Sequence, residues 1–195
     1  MKYAILYRSG YILEIRDTEP TEEDLAPEYL TFEEISDEDA VTFESSSESM
    51  HYINGSLMDE KSYRDYIEVR ALNEKIDKDF PEDLEGAKKV SRKYFANKRY
   101  QFEVGGIDVG GLEVRTDRLT VSRIYQADHL ASADPTFATE WKLGDGSFIT
   151  VDATLIGQLS ASITSHIQNS FSRERIANQG VDAATTIEEL KAVEW

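Results

Sequence analysis

Apolar side chains open the chain in two short bursts. Tyr3 to Tyr7 and Tyr11 to Ile15 are rich in aromatic and branched residues, and Arg8-Ser9-Gly10 between them has turn chemistry. The pattern predicts a β-hairpin. A lone hairpin is marginal in water, so a third strand or a partner surface must complete it. Farther on, Pro20 and Pro27 break the chain, and Thr21-Glu22-Glu23-Asp24 resembles the acidic first turn of a short helix. Tyr29 to Phe32, Ala40 to Phe43 and Met50 to Ile53 read as further strands, with Asn54-Gly55 a strong turn signal.

From residue 60 the period lengthens. Tyr63, Tyr66, Ile67, Arg70, Glu74 and Asp77 fit a helix that ends near Phe80-Pro81, and Leu84, Ala87, Lys88, Ser91, Tyr94 and Phe95 fit a second. Tyr100 to Val104 and Leu112 to Val114 alternate as strands, set apart by Gly105-Gly106 and Gly110-Gly111. Thr116-Asp117-Arg118 predicts a capped helix start with Thr116 as the cap, and Leu119, Ile124, Ala127 and Ala131 form its apolar face. Asp134-Pro135 is a break. Thr139 to Lys142 and Phe148 to Val151 then read as a hairpin around Gly144-Asp145-Gly146. A long helix follows from about Asp152 to Gln179, with Leu155, Leu159, Ile163, Ile167 and Phe171 recurring every four residues beside Ile156. In the closing TTIEELKAVEW, Thr185 or Thr186 can cap a final helix against Glu188 or Glu189.

These elements predict an α+β protein in three parts. Residues 1–58 form a small β-rich unit, 59–99 a mixed-charge helical connector, and 100–195 an α+β module with two short hairpins and a long amphipathic helix. The connector can serve as a solvated spacer, or its helices can pair with a partner or with a second copy of the chain.

Charge adds a polarity to this picture. Acids outnumber bases 38 to 21, for a net charge of −17. Residues 1–60 hold 16 acids and 3 bases, residues 61–100 hold 8 and 11, and residues 101–195 hold 14 and 7. The acidity therefore sits in the first third, and it argues against nucleic acid as a partner, because phosphate binding needs clustered Lys and Arg. No run of about 18 apolar residues is present, so no membrane span is expected.

Candidate chemistry is sparse. The chain lacks cysteine, which excludes disulfides, thiol nucleophiles and thiolate metal sites. His51, His129 and His166 fall in three different predicted elements without metal spacing. The glycines at 105, 106, 110 and 111 lack the Lys-Ser/Thr of a phosphate loop and lead into a strand, which makes them turn residues. No catalytic residue, metal site or cofactor is expected. The acids at 33, 34 and 37 to 39 read as a solvated or partner-facing surface that would steer a basic partner. Tyr3, Tyr7, Tyr11, Tyr29, Phe32, Phe43 and Tyr52 exceed what a thin core needs, and tyrosine suits interfaces. Of these, Tyr3, Tyr7, Tyr11, Tyr29, Phe32 and Tyr52, together with Trp141, are candidate contact residues. Thr116, Asp117, Arg118, Leu159, Ile163 and Ile167 are candidate structural residues, and Arg118 is expected to pair with a carboxylate on a neighbouring element.

Several short motifs occur in an order that resembles a known family. They are Phe102-Glu103-Val104-Gly105-Gly106-Ile107, Val114-Arg115-Thr116-Asp117-Arg118, Asp134-Pro135-Thr136-Phe137, Glu140-Trp141-Lys142, Asp145 to Ala153, His166 to Phe171, and Thr186 to Leu190 with Trp195. From about residue 88 onward the chain resembles the domain of unknown function 4376, a module found among the tail genes of tailed bacteriophages and prophages. The resemblance implies a non-enzymatic tail component that binds a tail-fibre or baseplate protein, or a transient fibre-assembly chaperone that leaves before the particle matures. It also implies a location in the virion tail, or in the host cytoplasm during assembly.

Overall fold

In the computed structural model, Gly10 fixes the turn between the first two strands. Its φ is +82°, a region open to glycine, and a Cβ there would meet the Ile53 side chain at 2.0 Å. The structure describes residues 2–7, 10–21, 25, 30–46, 49–53, 55–143 and 146–195. Expectations placed on Arg8-Ser9, Glu22 to Asp24, Pro27, Tyr29, Asn54 and Gly144-Asp145 lie outside the described residues. The fold is α+β, and the chain divides into two compact units, Met1–Glu74 and Lys75–Trp195.

In the first unit, β1 (Lys2–Tyr7), β2 (Ile12–Arg16) and β3 (Leu30–Ile35) form an antiparallel sheet in the order β2-β1-β3. β3 is the third strand that the opening hairpin required. A register shift between Ile5 and Leu6 places a bulge against β2. A second hairpin joins β4 (Met50–Ile53) to β5 (Ser56–Asp59), and the Tyr52 N–H donates to the Gly10 carbonyl at 2.8 Å. The core comprises Ala4, Leu6, Ile12, Ile35, Ala40, Met50 and Tyr52.

One expected strand in this unit is a helix. Ala40 to Phe43 lies within α1 (Asp37–Ser45), because Ser36 accepts the Asp39 N–H and Asp37, Glu38 and Asp39 fill a first turn that favours negative charge. Ala40 and Phe43 then face the core at helical spacing, while Val41 points to solvent. The acidic run thus starts a helix as well as forming a surface.

α2 (Glu60–Asp79) ends just before Pro81, and the boundary between the two units falls inside it. In the second unit, α3 (Leu84–Val104) starts at the Asp83 cap and runs through the segment expected to be a strand at Tyr100 to Val104. Those five residues alternate, but the half-buried Phe102 continues at helical spacing the buried line of Ala87, Ser91, Phe95 and Lys98, and Arg99 pairs with Glu103 one turn on. Gly105 ends the helix. The hairpin that follows is β6 (Ile107–Val109) with β7 (Leu112–Val114), so its first strand begins after the glycine pair.

α4 (Arg118–Ala133) is capped by Asp117, which accepts the N–H groups of Leu119 and Thr120. Thr116 was expected in that role. Instead it is buried, and its hydroxyl is spent on the backbone of Glu103 and Gly106. Leu119, expected on the buried face, is 60% exposed; Ile124 and Ala131 carry the packing. β8 (Ala138–Lys142) and β9 (Phe148–Asp152) form the second hairpin as expected.

α5 (Ala153–Ala183) is the spine of this unit, about 46 Å long at 1.5 Å per residue. Its first half packs on α4, where the Ser160 hydroxyl donates to Asp128 at 2.8 Å and Tyr125 meets Thr164 at 3.0 Å. Its second half runs antiparallel to α3, from His166 beside Phe102 to Asp182 beside Arg92. α6 (Ile187–Lys191) follows the Thr186 cap, and Lys191 anchors it to Asp77 at 2.7 Å.

A tyrosine-lined hollow as candidate interface

The first unit gathers most of its tyrosines around one feature. β4 brings His51 and Tyr52 side by side on successive positions, and α2 carries Tyr63, Tyr66 and Arg70 along one stripe. His51 is buried and riveted from three sides. Its ring stacks on Tyr63 with centroids 3.6 Å apart and planes 6° from parallel, and Tyr11 meets it edge-on at 5.4 Å. Nε2 lies 3.1 Å from Glu60 Oε2, so the ring N–H donates to the carboxylate. That bond is the main reason the Glu60 carboxyl sits below the usual glutamate range. The arrangement ties β4 to the start of α2 and holds the tyrosines in place.

Next to this rivet is a hollow of about 250 Å³. Leu6, Tyr7 and Gly10 form one wall, Thr31 and Glu33 of β3 a second, Tyr52 and Ile53 a third, and Tyr63, Tyr66, Ile67 and Arg70 of α2 close it. Arg70 is held by Glu74 at 2.8 Å. Burial, then the charges of Asp39 and Glu33, push the Tyr52 phenol above the usual tyrosine value. The wall residues suit contact with another molecule: aromatic area with polar tips, on a frame drawn from β1, β3, β4 and α2.

The structure sorts the candidate contact residues. Tyr7 and Tyr52 line the hollow, and Tyr11 flanks it, with its ring 6.0 Å from that of Tyr7. Tyr3 and Phe32 form an edge-on pair elsewhere on the sheet, at 6.0 Å. Tyr29 is outside the described residues. Trp141 belongs to the second unit, where it packs against the core of Val114, Ile124, Val151, Ile156, Leu159 and Ile163. Sequence reasoning passed over His51, Tyr63 and Tyr66 as contributors. Tyr63 and Tyr66 stood in the helical stripe but were read only as helix markers.

Of the candidate structural residues, Leu159 and Ile163 are core, and Ile167 packs against it partly buried. Asp117 caps α4. Arg118 makes no ion pair among the described residues; it sits at the start of an outward stripe of α4 with the half-buried Val121 and the exposed Tyr125, His129 and Leu130. That stripe is one helix face and not a cleft, since every residue bordering it lies on α4. At the far end of α3, Arg173 lies over Phe102 and Trp195, 5.0 and 5.5 Å from their ring centres, and Arg99 bridges to Glu174 at 3.0 Å. Among the described residues no group of three or more His, Asp or Glu side chains could hold a metal ion, and no helix is long and apolar enough to cross a membrane.

The second unit is a helix-centred α+β module: a long spine, two flanking helices and two hairpins at the turns. A family model described as a domain of unknown function (DUF4376) matches residues 86–194 of it, more than half the chain, and the chain belongs to that family. Curated proteins and solved structures each return no match to the chain.

Proposed function

We propose that the protein is a non-enzymatic component of a bacteriophage tail, whose N-terminal unit binds a tail-fibre or baseplate protein and contributes to its attachment or assembly. The observation that carries this reading is the tyrosine-lined hollow on a small unit that holds 19 acids against 6 bases. Such a surface is built for a protein partner and not for chemistry. The family resemblance supports the tail setting, and the common module would serve as the constant end to which a partner-specific unit is joined.

The test is deletion of the gene in a phage or prophage that encodes it, with mass spectrometry of purified particles. Deletion is expected to yield particles short of fibres or baseplate parts, and wild-type particles are expected to contain the chain at fixed copy number. Fibre-deficient particles together with absence of the chain from mature virions would instead identify a transient assembly chaperone. Fully fibred, infectious particles after deletion would refute both.

A further inference from the structure

Two ionic side chains line the hollow, and among the described residues only one of them is matched. Arg70 is spent on Glu74. The Glu33 carboxylate has no hydrogen bond or ion pair among the described residues, and it stands beside Tyr7, Tyr52, Tyr63 and Tyr66. Aromatic π-density and an unmatched carboxylate attract the same species, a cation on an apolar or planar stem. An anionic guest would face Glu33, and a neutral apolar one would strip water from that carboxylate without replacing its hydrogen bonds.

We infer that the hollow is a receptor for one arginine or lysine side chain of the partner protein. This rests on the reading of the N-terminal unit as the partner-binding end. Size agrees, since about 250 Å³ is below the range of pockets that enclose whole small molecules and suits a single side chain. Charge agrees as well: Asp37, Glu38 and Asp39 follow directly in α1, and the field of the unit would draw in a basic surface. Placement explains how the side chain arrives. Thr31 and Glu33 belong to β3, which pairs only with β1 among the described residues, so an extended segment can lie along its outer edge and lower a side chain into the hollow.

The experiment is an NMR titration of the full chain with N-acetyl-arginine amide, with N-acetyl-norleucine amide and N-acetyl-glutamine amide as controls. Saturable shifts are expected at Gly10, Thr31 and Tyr52 with the arginine probe. Glu33→Gln, at an exposed position, is expected to leave the circular dichroism spectrum unchanged and to weaken binding about tenfold. Equal binding of the norleucine probe, an unchanged affinity in the Glu33→Gln chain, or no shift up to the solubility of the probe would each overturn the assignment. Failure here leaves the particle experiment untouched, so the hollow and the tail role stand or fall separately.

Discussion

The Thr116 hydroxyl closes two backbone valences at once, donating to the Glu103 carbonyl at 2.5 Å and accepting from the Gly106 N–H at 2.9 Å. With only 3% of its surface exposed, it stitches the end of α3 to the start of α4. Thr116→Val would keep the shape and leave both half-buried backbone groups without this partner, at a cost of roughly 1–3 kcal/mol. Urea unfolding followed by tryptophan fluorescence would measure it. The neighbouring Asp117 carries a pH signature. Its carboxyl is held below the usual aspartate range, first by the Thr120 hydroxyl and then by the Thr120 N–H. A pKa lowered in the folded state gives stability that is present above the ordinary aspartate range and is lost as pH falls through the depressed value. Asp117→Asn keeps the cap acceptor but cannot titrate. It is expected to melt slightly below the parent at neutral pH, with the gap closing in acid; thermal melts across that range check the sign.

At the scale of elements, α5 shows what a periodic pattern conveys and where it drifts. Residues four apart advance about 40° past a full turn, so a strict four-residue repeat winds around the helix. Leu159 and Ile163 are buried, Ile167 is at the margin, and Phe171 is 52% exposed beneath the Arg99 guanidinium. The true buried line keeps a seven-residue spacing, Ile156, Ile163, Ser170 and Ala177, and two of its members are too small or polar to show in a hydrophobicity pattern. Elements with strong local chemistry were legible for the same kind of reason: the β8–β9 hairpin, the Thr186 cap and the helix before Pro81. The segments at 40–43 and 100–104 were not, because four or five alternating residues suit either period and their neighbours decide. The hollow was only half legible, since Tyr7 is far in sequence from Tyr52, Tyr63 and Tyr66 and only the tertiary fold joins them. Two substitutions separate the buried line from the apparent one. Leu159→Asp places an unpaired charge in the core and is expected to cost roughly 4 kcal/mol or more, enough to unfold the second unit. Phe171→Asp, on the exposed continuation of the same stripe, is expected to cost about 1 kcal/mol or less. Circular dichroism and melting of the pair would expose an error in the placement of either residue.

For the whole molecule, the net charge divides along the same line as the structure. Residues 1–74 hold 19 acids and 6 bases, whereas residues 75–195 hold 19 and 15. The first unit therefore carries most of the self-repulsion, over a smaller core. Added salt screens that repulsion, with a Debye length of about 30 Å at 0.01 M and about 3 Å at 1 M. Raising salt is thus expected to stabilise the first unit clearly and the second only slightly. The chain supplies its own reporters: both tryptophans, Trp141 and Trp195, lie in the second unit, while seven of the ten tyrosines lie in the first. At low salt the tyrosine signal is expected to melt before the tryptophan signal, and the gap is expected to narrow as salt rises. A single transition shifting equally in both signals would mean that the two units unfold together and that the acidity burdens the chain as a whole. A gap that closes with salt would locate the electrostatic cost in the first unit, where a basic partner would relieve it on binding.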